Sequence, residues 1–69
     1  MTQKEMVYRH MQEFGSITSI EAFSAYGITR LAARVNELRK DGIEIESNNE
    51  THKNRYGGVV TYSRYRLAS

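Results

Sequence analysis

The sequence predicts an α+β domain in which three short helices are followed by an antiparallel β-hairpin. Three observations predict it. Apolar side chains recur at helical spacing up to Lys40, the period changes to two from Ile43 onward, and glycines stand where one element gives way to the next.

The first helix is expected over residues 3–14. Thr2 followed by Glu5 has the form of a capping box, in which each side chain satisfies the other residue's free amide. Val7, Met11 and Phe14 then recur at helical spacing, with Met6 nearby, until Gly15 stops the pattern. Ser16 and Ile17 read as a short extended link, because Thr18 and Glu21 repeat the capping signature at the start of a second helix over residues 19–25. Gly27 suits a left-handed turn, and Thr29 is the expected N-cap of a third helix over residues 29–40. At 100° per residue, Leu31, Val35 and Leu38 fall within about 60° of one another, which gives that helix one narrow core-facing stripe. Arg39 and Lys40 suit the negative end of its dipole, and Asp41-Gly42 ends it.

The hairpin is expected over residues 43–67. Ile43 and Ile45 alternate with Glu44 and Glu46, and Tyr65 and Leu67 alternate with Arg64 and Arg66. Pairing Ile43 with Leu67 and Ile45 with Tyr65 puts both apolar sets on one face. Residues 48–58 are polar apart from Tyr56, so they are expected to project as a flexible ribbon with its tip at about residues 53–57. Phe14, Phe23 and Tyr65 occupy periodic positions and are assigned to the core; Tyr8, Tyr26 and Tyr62 are left unassigned.

The chain of 69 residues holds one hydrophobic core, without cysteine to staple it or to ligate a metal. His10 and His52 have no partners at metal-binding spacing, and no nucleophile–base or phosphate-loop motif appears, so the domain is read as non-enzymatic and without cofactor. Apolar runs of two or three residues exclude a membrane span, and cytoplasmic residence is the expectation. The net charge is +2, unevenly spread: residues 1–27 hold two basic and three acidic side chains, residues 28–69 eight basic and five acidic. An anionic partner would be met by the second half of the chain.

Helices two and three joined by a tight glycine turn, then a hairpin, is the order of a winged helix-turn-helix. In that arrangement the third helix enters the major groove of duplex DNA, N-terminal residues foremost, and flanking elements hold phosphates. The candidate face is Thr29, Arg30, Ala33, Arg34, Asn36, Glu37 and Lys40, with Lys53, Arg55 and Tyr56 on the wing. Arginine grips guanine or phosphate through its fork, asparagine matches an adenine edge, and Ala33 lets the backbone approach. Arg34 lies about 60° from the apolar stripe, so packing beside the core and touching DNA both stay open for it. Arg39 reads as a helix-end charge partner. Glu37 faces phosphates unfavourably unless it accepts from cytosine or pairs with an arginine of its own helix.

The run from Ser19 through Arg30-Leu31-Ala32-Ala33-Arg34 to Leu38-Arg39-Lys40-Asp41-Gly42, with the closing Tyr65-Arg66-Leu67, resembles a family of small helix-turn-helix proteins of bacteriophages and prophages. The resemblance implies a winged helix fold and a DNA-binding, regulatory role. Double-stranded DNA is therefore the expected partner, with no small-molecule substrate. The alternative is a protein-interaction module that docks on a host transcription or replication protein. The footprint of one such domain is short, which makes a second copy of the chain a further expected partner.

Overall fold

The computed structural model describes residues 1–68, and its elements run α1 (Gln3–Phe14), β1 (Ser16–Thr18), α2 (Ser19–Tyr26), α3 (Leu31–Lys40), β2 (Ile45–Lys53) and β3 (Val59–Leu67). Helices and sheet share one core, which makes the fold α+β.

Both capping boxes form. The Glu5 amide donates to Thr2 Oγ1 and the Thr2 amide to Glu5 Oε1, while the Glu21 amide donates to Thr18 Oγ1 (3.2 Å) and the Thr18 amide to Glu21 Oε1 (2.9 Å). Gly27 at φ 68° ends α2, its amide donating back to Phe23 O (2.9 Å). The third helix begins at Leu31, not at residue 29, and its N-cap is Arg30, which makes no side-chain capping bond. Ile28 and Leu31 are both sunk in the core, 1 % and 3 % exposed. Thr29 and Arg30 bridge these two anchors in non-helical backbone, so Thr29 stands outside the helix.

The segment at Ser16 and Ile17 is more than a link. As β1 it pairs antiparallel with β3, Ile17 opposite Tyr65, so the sheet has three strands in the order β1-β3-β2. The hairpin register also differs from the simple reading: Ile45 opposes Leu67 and Ser47 opposes Tyr65. Ile43 is held back because its amide donates to Leu38 O (3.1 Å) at the end of α3. A shift of two residues preserves the pleat, so Ile45, Leu67 and Tyr65 still share the inward face. The polar stretch is a continuous ladder out to Lys53 opposite Val59, and the turn occupies residues 54–58. Asn54 closes it, its Oδ1 accepting from the Tyr56 and Gly58 amides (3.0 and 2.9 Å).

The core is Val7, Met11, Ile17, Ala22, Ile28, Leu31, Val35, Leu38 and Ile45, with Tyr26, Tyr65 and Leu67 packed at its edge. Phe14 and Phe23 are not in it; they are 68 % and 61 % exposed. α2 has eight residues and turns Ala22 and Tyr26 inward, which puts Phe23, one step of 100° from Ala22, outside. On α1 the buried ring is His10, which shares a 2.8 Å hydrogen bond between Nδ1 and the Tyr26 hydroxyl. Phe14 lies a turn further on, beyond the reach of the core. Among the described residues no helix is long and apolar enough to cross a membrane.

Truncating a core residue and an exposed phenylalanine should therefore differ sharply. Ile17→Ala is expected to cost about 2–4 kcal/mol in urea unfolding, and Phe23→Ala less than about 0.5 kcal/mol. Equal costs at the two positions would contradict this core.

Candidate nucleic-acid interface

Burial of Leu31, Val35 and Leu38 turns the opposite side of α3 outward, and the sheet supplies a second wall beside it. Between them runs an open groove of about 640 Å³. Ser19, Thr29, Arg30, Ala32, Ala33 and Asn36 form one wall; Thr61, Tyr62, Ser63 and Tyr65 of β3 form the other. Apart from Arg30 the lining is uncharged, rich in hydroxyls and methyls that donate, accept or fit closely without repelling an anion.

Of the residues predicted for the site, Thr29, Arg30, Ala33 and Asn36 meet in this groove. Glu37 and Lys40 lie on the exposed side of α3 outside it. Lys53, Arg55 and Tyr56 are gathered at the far end of the hairpin, where Tyr56 is 90 % exposed. At ~3.3 Å per residue, the strand from Tyr65 to Val59 carries that tip some ~20 Å outward.

Arg34 is placed against α1. Its side chain is 26 % exposed, its Nη1 donates to Gln3 Oε1 (3.3 Å), and its Nε lies 3.1 Å from Glu37 Oε1. That last approach is close enough for an ion pair but out of line for a hydrogen bond, so among the described residues the buried Nε–H has no acceptor. The pairing answers the difficulty raised by Glu37: its negative charge is offset by the arginine one turn before it. Arg39 donates through Nη2 to Ile45 O (2.9 Å), tying the end of α3 to the first residue of β2.

The ion pairs sort the cations. Lys4 pairs with Asp41 (2.7 Å), Arg9 with Glu13, Arg34 with Glu37, and Arg64 with both Glu50 and Glu21. Among the described residues Arg30, Arg39, Lys40, Lys53, Arg55 and Arg66 have no carboxylate within 4.0 Å, and of these Arg39 is held by the Ile45 carbonyl. The unpaired positive charge thus lies on α3, on the wing tip and, through Arg66, on β3 at the base of the wing.

Sequence reasoning missed Arg64. Its Nε donates to Glu50 Oε1 (3.0 Å), its Nη1 donates to Ser16 Oγ (2.9 Å), and the same Nη1 is 3.7 Å from Glu21 Oε1, the carboxylate that caps α2. One guanidinium therefore ties β3 to β2, β1 and the α2 cap, which sets the wing against the helices. The Glu50 hydrogen bond holds it still further above its ordinary value, so it stays charged. No local signal marks it, since Ser16 lies 48 residues away. Ser19, Ala32, Thr61, Tyr62 and Ser63 were also missed, because they join the groove only once β3 stands beside α3.

Helices two and three joined by a tight turn, with a hairpin standing beside the third helix, define a winged helix-turn-helix protein. The chain belongs to the winged helix-turn-helix domain family, whose model matches residues 2–69. Membership points to DNA as the partner. Searches of curated proteins and of solved structures returned no match.

Loss of the Arg64 clamp is expected to loosen the wing more than the helices. Arg64→Ala should lower stability by about 1 kcal/mol, the modest scale of partly exposed ion pairs. Hydrogen exchange should accelerate at the β1–β3 amides with little change in α1; unchanged exchange at β1–β3 would show that Arg64 does not set the wing.

Proposed function

We propose that this protein binds double-stranded DNA, with α3 in the major groove and the wing along the backbone. The observation that carries the reading is that Arg30 lines the α3–β3 groove while Lys40 on the outer side of α3 and Lys53 and Arg55 at the wing tip stand exposed on the flanking elements, all four without a carboxylate partner among the described residues. The core-facing stripe fixes which side of α3 is presented, and the start of the helix is the end nearest the base edges.

Each residue has a role that its chemistry allows. Arg30 grips a guanine edge or a phosphate at the groove mouth, and Asn36 meets an adenine edge. Ala33 and Thr29 permit close approach, and Lys40 holds a phosphate. Lys53 and Arg55 brace the backbone beyond, with Tyr56 pressed against a sugar. Arg34 serves as a positioning residue: by pairing with Glu37 it removes a repulsion from the presented face. The resemblance in the Arg30–Gly42 segment favours a small transcriptional regulator or accessory DNA-binding factor of phage or prophage type, acting in the cytoplasm.

Fluorescence anisotropy on pooled duplex fragments tests this. Four phosphate contacts give a slope of log Kobs against log salt of about −3.6, so affinity should drop roughly a hundredfold between 50 and 200 mM salt. Arg30→Ala should weaken binding about tenfold or more, and the pair Lys53→Ala/Arg55→Ala should reduce the slope by about 2. Lys4→Ala should change little. Absence of binding at low salt, or indifference to these substitutions, would overturn the proposal.

A further inference from the structure

α1 commits one side to the core through Val7, Met11 and His10, and on the adjoining side Met6 is half-buried while Arg9, Glu13 and Phe14 are exposed. There Met1, Met6, Arg9, Glu13 and Tyr26 line a shallow groove of about 320 Å³, none of whose residues belongs to the α3–β3 groove. It continues towards Phe14: the His10 ring lies 4.6 Å from the Phe14 ring and meets Tyr26 edge-on at 5.5 Å. The result is an apolar strip of Met6, Tyr26 and Phe14 flanked by Arg9 and Glu13, whose side chains are 64 % and 51 % exposed.

The charge pattern identifies what fits this strip. An interface between two copies related by a two-fold axis must complement itself. Arg9 and Glu13 stand one turn apart with opposite charge, 3.1 Å from each other within the helix. Two α1 helices packed antiparallel about an axis near Met11 put Arg9 over Glu13 of the second copy and Glu13 over its Arg9, so the four charges alternate in sign. The same rotation brings Met6 to the C-terminal end of the other helix, beside Phe14 of the second copy. A foreign partner would need a matching pattern; a second copy of this chain already carries it.

We propose that this chain self-associates through an antiparallel α1–α1 contact formed by Met6, Arg9, Glu13, Phe14 and Tyr26. A standard interface covers about 800 Å² on each partner, whereas two turns of helix cover less, so the dimer is weak, with a Kd on the order of 0.1 mM. The contact leaves the α3–β3 groove open.

Sedimentation equilibrium of the full chain without DNA, from ten micromolar to one millimolar, tests the contact, with circular dichroism to check that each variant is folded. The wild-type protein is expected to shift from monomer to dimer mass across that range. Arg9→Glu and Glu13→Arg, each setting like charges face to face, should weaken association about tenfold. An equimolar mixture of those two variants should recover it as a heterodimer, because one helix then presents two carboxylates and the other two guanidiniums. Phe14→Ser, at an exposed position, should abolish it. A monomer throughout, or a mixture that associates no better than either variant alone, would overturn the proposal. Since no DNA is present, either result leaves duplex binding to be judged separately.

Discussion

The structure depends most on a short piece of sheet, the pairing of β1 with β3. A two-stranded hairpin by itself is marginal in water, and β2 and β3 have mostly exposed side chains beyond Glu50 and Tyr62. Ile17, fully buried and opposite Tyr65, fastens the hairpin to the helices, and Thr18 at the end of the same strand caps α2. Arg64 spans the junction. Three residues of β1 therefore fix where α2 starts and where β3 stands, and the groove beside α3 exists only because β3 is held there.

A second constraint is electrostatic. With eight basic side chains downstream of Ile28, a uniformly free positive surface was available to this sequence, but the fold uses several of them internally. Arg34 packs on α1 and neutralises Glu37, Arg39 fastens α3 to β2, and Arg64 clamps the wing. Among the described residues, those left exposed and without an ion pair or a structural hydrogen bond are Arg30, Lys40, Lys53, Arg55 and, on β3, Arg66. Net charge alone would have treated all eight alike; pairing separates those that build the domain from those that can meet an anion.

Much of the fold was legible because its signals are local. The two Thr/Glu capping boxes, the glycine turn and the Leu31-Val35-Leu38 stripe each lie within a few residues of what they control. The parts that were not legible depend on distant partners. Nothing in Ser16-Ile17-Thr18 announces that it pairs with residues 64–66, and the two-residue register shift arises from the Ile43 bond to Leu38 O. Phe14 and Phe23 were misread for a related reason: periodicity tells which side of a helix is apolar but not how far the core extends along it. Of the candidate site, the outward side of α3 could be derived from its period alone, while the β3 wall had to wait for the topology.

Backbone amide shifts followed by NMR as a short duplex is added would test the central claim most directly, because every part of this small domain reports at once. The account predicts that the largest changes fall on Thr29–Glu37, on Thr61–Ser63 and on the wing tip around Lys53–Tyr56, with α1 nearly silent. Changes concentrated on α1 and on the exposed side of α2 around Phe23, with the α3–β3 groove unmoved, would contradict it.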